Sequence, residues 1–306
     1  MKDKIHYAGI DIGSNAVRLL IKCLNDESSE ELLSKVQLVR VPIRLGEDAF
    51  MKGRIGKKKS KKLISLMRAY KELMEIYDVS SYRACATSAM RDADNGLELV
   101  QVIEEQVGIK IEIISGREEA QLISQDLING ADIDSEATFL YVDVGGGSTE
   151  LNLVRHGELL QSHSFNIGTI RQLSGKVEQE EVRLFKSYLA QIKECYGEVQ
   201  VVGSGGNINK LLRLGAPAER AKVNSLKYAN LQGVYDELVK YTSEERMIRF
   251  RLKPDRADVI IPAAEIFLLV GRIICCEKII VPTKGLSDGI IESIYKEQHS
   301  ITTPII

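Results

Sequence analysis

Several things are scarce in this sequence, and each scarcity closes a class of function. Cysteine occurs five times, as Cys23, Cys85, Cys195, Cys275 and Cys276, an odd number with no Cys-x-x-Cys pair. That argues against a disulfide framework, and a reduced, cytoplasmic protein is the expectation. The four histidines, His6, His156, His163 and His299, fall in no zinc-ligand spacing, so a zinc site is not expected. Neither sign of charge dominates: Lys and Arg number 41 against 43 Asp and Glu, a net charge of −2. The chain as a whole therefore offers no bulk attraction to nucleic acid or to an anionic membrane, and any basic site must be local. Long apolar runs are also missing. The most apolar stretch, VIIPAAEIFLLVGRIICCEKIIV, is broken by Pro262, Glu265 and Arg272, which fits a buried helix followed by a strand and not a membrane span. The opening MKDKIHYAGIDIG lacks the apolar segment of a signal peptide.

What remains is a chain of 306 residues, 44% hydrophobic and 27% charged, a globular composition with room for two domains of about 150 residues each. The stretch YVDVGGGSTELNLV, Tyr141 to Val154, sets three glycines between two runs that alternate like strands. Glycine inside a strand costs about 0.5–1 kcal/mol relative to alanine, so the triplet marks a tight turn or a close approach of backbone to something else. The run YAGIDIGSNAVRLLI has the same order of strand, Asp-x-Gly turn and strand, and Asp11 and Asp143 hold the same place in two copies set almost half the chain apart. Such a repeat predicts a duplicated architecture. After each hairpin a further strand and then helix–strand alternation are expected. In the first half these are a helix from about Lys58 to Tyr77, a strand SYRACATS, a helix from Leu97 to Val107, a strand KIEIIS and a helix from Glu118 to Asn129. In the second half they are helices over EEVRLFKSYLAQIKECY and NINKLLRLG, with EVQVVGSGG running from strand into loop between them, and a helix then a strand from Ala257 to Val281. The pattern gives two α/β domains, residues 1–130 and 131–306, each a mixed sheet with helices on both faces, joined near Gly130 to Ala137. A cleft between them is the expected ligand position, and the last helix, about 286–300, is expected to pack back on the first domain.

Three glycine-rich turns follow strands: Gly13-Ser14-Asn15, Gly145-Gly146-Gly147-Ser148-Thr149 and Gly203-Ser204-Gly205-Gly206. Successive backbone N–H groups with little side chain in the way make an anion nest, to which small hydroxyls add donors. Phosphate is the natural guest, although any one of these loops alone reads equally well as a plain turn. Asp11 and Asp143 place a carboxylate where the anion would go. Carboxylate and phosphate repel, so the arrangement calls for a hard cation between them, Mg²⁺ (or Mn²⁺), held by one or two carboxylates, water and phosphate oxygens. Glu150, on the same strand face as Ser148, is a further acid beside that site. Rival phosphate motifs fail: no GxxxxGK[ST] occurs, and GSGGNI has Ile208 where a dinucleotide fingerprint wants its third glycine.

The segments GIDIGSNAVRLLI, ATSAMRDADN, IISGREEAQL, YVDVGGGSTEL, VVGSGGNI and LSDGIIESIY resemble, in order and spacing, the exopolyphosphatase / guanosine pentaphosphate phosphohydrolase (Ppx/GppA) family of the actin-like ATPase superfamily. The resemblance covers almost the whole chain. It implies two ribonuclease-H-like domains around a cleft, and release of a terminal phosphoryl group from polyphosphate or from pppGpp. In SGREEA, Glu119 matches the family's catalytic glutamate, which positions and deprotonates the attacking water, with Glu118 as its neighbour. Arg91 in TSAMRDA matches an arginine near the phosphates, and Arg18 aligns with a basic position after the first turn. Both fit the need to neutralise charge on a phosphoryl group in flight. Taken with the turns and carboxylates read above, the expected site is made of Glu119, Arg91, Asp143 and Glu150 for the chemistry. Gly13, Ser14, Asn15, Arg18, Gly145, Gly146, Gly147, Ser148 and Gly205 would hold phosphate, and Asp11 with Asp143 the metal.

This sequence departs from the family in places. Ala16 stands where Ser or Thr is common, which removes one side-chain donor, and Ala263 replaces a common glycine. The chain stops at Ile306, without the C-terminal helical domains of the long members, so a less extensive grip on a polymer is expected. Lys57, Lys58, Lys59, Lys61 and Lys62 cluster at the start of a helix whose core side reads Leu63, Met67, Tyr70, Met74 and Tyr77. Cations at a helix N-terminus are unfavourable, so the cluster is either a solvated face or a landing point for a polyanion. RNA lacks the interleaved aromatics it would need. The expected activity is exopolyphosphatase, with pppGpp phosphohydrolase as the alternative and an actin-like ATP-binding regulator or a silent polyphosphate or alarmone sensor as readings of another class. Expected partners are polyphosphate or guanosine pentaphosphate, with no membrane and no nucleic acid, and a homodimer is left open.

Overall fold

The computed structural model describes residues 4–26, 29, 31–119, 121–122, 137–156, 158–215, 224–282 and 284–299. They fall into two compact units, one drawn from Met1–Asp126 and Leu286–Ile306, the other from Leu127–Gly285.

In the first unit, β1 (His6–Ile12), β2 (Val17–Leu24) and β3 (Leu33–Val41) form an antiparallel meander. Helices α1 (Leu45–Lys52) and α2 (Lys57–Ile76) follow, then β4 (Val79–Ala86), α3 (Ser88–Asp92), α4 (Gly96–Val107) and β5 (Glu112–Ile113). The sheet order is β3-β2-β1-β4-β5, and β4 and β5 run parallel to β1. Every residue of β1 after His6 is buried, the mark of a strand covered on both faces. Leu63, Met67, Tyr70 and Met74 make the buried stripe of α2, as the periodicity predicts, whereas Tyr77, expected to continue it, is the half-buried cap after the last turn. The Tyr70 hydroxyl donates to the carbonyls of Val17 (3.1 Å) and Val39 (3.3 Å), which satisfies a polar group taken out of water.

The second unit repeats the plan. Strands β6 (Thr138–Val144), β7 (Thr149–Arg155) and β8 (Glu158–Phe165) form its meander. Then come α5 (Thr169–Leu173), α6 (Gln179–Tyr196), β9 (Gln200–Ser204), α7 (Gly206–Gly215), β10 (Ser225–Lys227), α8 (Tyr228–Leu238), α9 (Ser243–Arg249), α10 (Pro254–Ala257), α11 (Ile260–Ile274) and β11 (Lys278–Ile280). The order β10-β11-β9-β6-β7-β8 contains the first sheet's order read from the other edge, with β9 and β11 parallel to β6 and one strand, β10, added antiparallel. The apolar stretch of the sequence becomes α11, buried nearly all round. Its interruptions are accommodated: Pro262 lies in the first turn, where its missing N–H is no loss, and Glu265 accepts from Tyr235 Oη (3.1 Å) and Gln172 Nε2 (2.6 Å). Among the described residues no helix is long and apolar enough to cross a membrane.

A last helix, α12 (Leu286–Gln298), belongs to the first unit and lies on β1, β2 and β4. It sits so close that a Cβ at Gly9 would stand 2.6 Å from the Ser287 carbonyl oxygen. The buried Lys22 on β2 meets Asp288 at 2.7 Å.

Three expectations shift. The strand SYRACATS ends at Ala86, because Thr87 caps a helical turn and accepts the N–H groups of Met90 and Arg91 (both 3.0 Å). The strand KIEIIS shrinks to Glu112–Ile113, since Ser115 already opens the next helical turn. Of the helix expected over Glu118–Asn129, residues 118, 119, 121 and 122 are helical. The rest, with nearly all of the joint expected near Gly130 to Ala137, lies outside the described residues.

Candidate functional site

The first Asp-x-Gly turn closes β1 onto β2, with the Gly13 N–H bonded to the Ala16 carbonyl at 3.2 Å. The carbonyls of the turn are drawn back by the start of α1: Gly46 N–H donates to Ser14 O (2.8 Å) and Arg44 N–H to Asn15 O (2.9 Å). Ser14 Oγ and Ser88 Oγ share a buried hydrogen bond of 2.8 Å, which ties the turn to the segment ATSAMRDADN. The buried Asp11 lies directly opposite Arg18 in the ladder, and Arg18 Nη1 sits 2.5 Å from Asp11 Oδ2.

The second turn has the same build. Gly145 N–H bonds Ser148 O at 2.9 Å. The carbonyls are again drawn back by the helix after the meander, through Thr169 N–H to Gly145 O (3.0 Å) and the N–H groups of Ile170 (2.8 Å) and Arg171 (3.0 Å) to Gly146 O. Arg171 Nε donates to Gly147 O at 2.7 Å. Tying carbonyls back leaves amide N–H groups as the exposed face of a nest, and among the described residues those of Gly146, Gly147 and Ser148 have no partner. Gly168 makes this packing possible, since a Cβ there would lie 2.4 Å from the Gly147 carbonyl carbon.

Here the ladder opposes Asp143 to Glu150, and a carboxylate oxygen of each lies within 4.8 Å of the other. Two acids directly opposite are unfavourable unless a cation or a proton relieves them. Glu150 is 1% exposed, and its Oε1 accepts from Ser148 Oγ (2.6 Å) and Ser164 Oγ (3.1 Å). Hard carboxylate oxygens in such a pair suit a metal cation. Gly205, at φ 97°, lies beside this acid pair, with a Cβ built there 3.0 Å from Asp143 Oδ1. Asp11, by contrast, is met by Arg18 within its own hairpin.

The remaining residues lie in the first unit. Ser115 caps the turn that carries the glutamates: its Oγ accepts the Glu118 N–H (3.1 Å) and its carbonyl the Glu119 N–H (2.9 Å). The Glu119 side chain is buried. Arg91 Nη1 donates to Ile114 O at 2.9 Å, one residue before that cap, so Arg91 and the glutamate turn are physically joined. The structure thus gathers Asp11, Gly13, Ser14 and Arg18 in one group, Arg91 and Glu119 in a second, and Asp143, Gly145, Gly146, Gly147, Ser148, Glu150 and Gly205 in a third. Ser88, Ser164, Gly168 and Arg171 were not singled out by the sequence. Gly168 and Ser164 are close to the third group only through β8 and α5, which no short motif reveals.

Two mixed sheets on one strand order, each with a turn and a carboxylate at its central hairpin, define an actin-like ATPase fold. Within that class the chain belongs to the Ppx/GppA phosphatase family, which it matches over residues 26–298 and whose members hydrolyse phosphoanhydride bonds. The match begins after the first hairpin. The chain is 27% identical to exopolyphosphatase 2 of Mycobacterium tuberculosis over 83% of this chain and 86% of that protein. It is 24% identical to the guanosine-5'-triphosphate,3'-diphosphate pyrophosphatase of Aeromonas salmonicida over 96% of this chain but only 60% of that protein's length. A crystal structure of the Aquifex aeolicus family member is 29% identical, with a TM-score of 0.76 over 97% of this chain and 99% of that one.

Proposed function

We propose that this chain is a Mg²⁺-dependent exopolyphosphatase that releases orthophosphate from the end of inorganic polyphosphate. The observation that carries the reading is the doubled device: in each unit a carboxylate stands at the end of the central strand, beside a turn whose carbonyls are tied back. Each such turn offers main-chain N–H groups to phosphate oxygens. The M. tuberculosis relative, matched over most of its own length, bears the same activity in its name. The Aeromonas relative supports the second reading, pppGpp 5'-phosphohydrolysis, through the same chemistry.

In this reading Gly13, Ser14, Asn15 and Gly145 to Ser148 hold phosphate oxygens through main-chain N–H and hydroxyl groups. Arg91 and Arg18 offset charge that builds on the transferring group, which is where most catalysis of phosphoryl transfer lies. Glu119 orients the attacking water and takes its proton. Asp143 and Glu150 would hold the Mg²⁺, which when bound supplies charge neutralisation to the phosphates. The reaction breaks one P–O–P bridge with water and yields orthophosphate and a chain shorter by one unit.

The test is phosphate release by purified protein at fixed Mg²⁺ from long polyphosphate, short polyphosphate and pppGpp, with no acceptor added. Release from polyphosphate at a higher kcat/KM than from pppGpp is expected. The reverse order would favour the second reading, and release from none would overturn both. Glu119→Gln keeps size but loses the proton acceptor, and a loss of about 10²–10⁴ in kcat is expected. Near-normal turnover would remove Glu119 from its role.

A further inference from the structure

The motif Ser115-Gly116-Arg117-Glu118 has the spacing of a capping box, in which the glutamate three residues after the cap reaches back to the cap's own N–H. Half of that box is present: Ser115 Oγ accepts the Glu118 N–H at 3.1 Å. The other half is diverted. Glu118 Oε1 instead takes Arg83 Nη2 at 2.8 Å. The same guanidinium forks onto Glu112 Oε2 through Nη2 (2.8 Å) and Nε (3.1 Å), and its Nη1 reaches Ser293 Oγ at 3.4 Å. Arg83 is on β4, Glu112 on β5 and Ser293 on α12, so one largely buried side chain joins three elements of the first unit to the turn that carries Glu119. A guanidinium forked in this way fixes direction as well as distance, which a lysine cannot do.

We infer that Arg83, acting through Glu118, is a positioning residue that holds the Glu119 carboxylate in its working direction. Local helix chemistry would be met by a finished capping box. Using Glu118 as a tether gives up that local hydrogen bond for a long-range one, and the neighbouring residue is the one whose orientation a water-activating carboxylate needs. Displacements of about 1 Å at such a group cost on the order of 10²-fold in rate, so a modest loosening is visible in kcat.

The inference rests on the reading of Glu119 as the base, and the experiment separates the two. Arg83→Met, Glu118→Gln and the double variant are compared with Glu119→Gln by kcat and KM on polyphosphate, with thermal melts to confirm folding. A fall of about tenfold in kcat is expected for each single variant, with KM changed less than about twofold. The double variant should fall no further than the worse single one, because the two side chains form one tether. Arg83→Lys should recover part of the rate. Multiplicative losses in the double variant, or unchanged kcat in folded Arg83→Met while Glu119→Gln is inactive, would overturn the tether. Full activity in Glu119→Gln would overturn the base itself. If Arg83→Met does not fold, Arg83→Lys and Glu118→Gln carry the same comparison.

Discussion

The two central hairpins share their turn, their strand directions and the helix that draws back their carbonyls, yet they oppose different charges. In the first, Asp11 faces Arg18; in the second, the same ladder position sets Asp143 against Glu150. The residue two places before Arg18 and Glu150 differs in step. Ala16 ends the first turn with no hydroxyl, whereas Ser148 ends the second and donates to Glu150. The first hairpin thus pairs its carboxylate with an arginine across the ladder, while the second sets two carboxylates against each other.

The sharpest way to break this comparison is to remove the charges that differ. Glu150→Gln and Asp143→Asn should each lower turnover by about 10²-fold or more and raise the Mg²⁺ concentration needed for half-maximal rate, since each removes a hard ligand. Asp11→Asn and Arg18→Gln should each cost about tenfold and leave the Mg²⁺ requirement within about twofold, because that pair holds no metal in this account. Activity titrated against Mg²⁺ decides it. Equal Mg²⁺ dependence in Asp11→Asn and Asp143→Asn would return the metal to both hairpins.

A second variant sharpens the shared part of the device. Gly168→Ala places a methyl against the backbone of Gly147, 2.4 Å from its carbonyl carbon, where neither atom is the end of a flexible side chain. Overpacking of this kind costs about 1–3 kcal/mol, read as a fall in unfolding midpoint, and should also lower kcat by distorting the nest. A folded variant with normal stability and rate would show that α5 does not support the turn.

The repeat was legible because its grammar is local: Asp-x-Gly between two alternating runs appears twice, and the topology of both sheets follows from it. The buried stripe of α2 was legible for the same reason. What sequence could not give is what faces what across a ladder. Arg18 reads as an arginine near a turn until the register sets it on Asp11, and Ser164 and Gly168 acquire meaning only when β8 and α5 fold against the Gly145–Ser148 turn. Glu118 is a further case, since its carboxylate is taken by Arg83 on β4, a partner that its own segment does not reveal. Long-range pairing overrode a local propensity worth about 1 kcal/mol.

The smallest effect expected concerns the positive charges of the first unit beyond Arg18. The five lysines at the start of α2 do not act alike, contrary to their reading as one cluster. Lys59 turns inward, with Nζ 2.8 Å from Glu47 Oε2 and a further bond to the Arg44 carbonyl, so it braces α1 behind the first turn. Lys57, Lys58, Lys61 and Lys62 are exposed. Each adds attraction for a long polyanion but little for a compact ligand, and that attraction is screened over about 10 Å at 0.1 M salt. Replacing those four by Gln should raise KM for long polyphosphate severalfold, flatten its salt dependence, and leave kcat and the hydrolysis of short polyphosphate or pppGpp within about twofold. Lys59→Gln alone should instead lower the unfolding midpoint without touching the salt dependence. Equal KM losses for long and short substrates in the fourfold variant would mark a defect of the site, and no loss for either would make these lysines a solvated face.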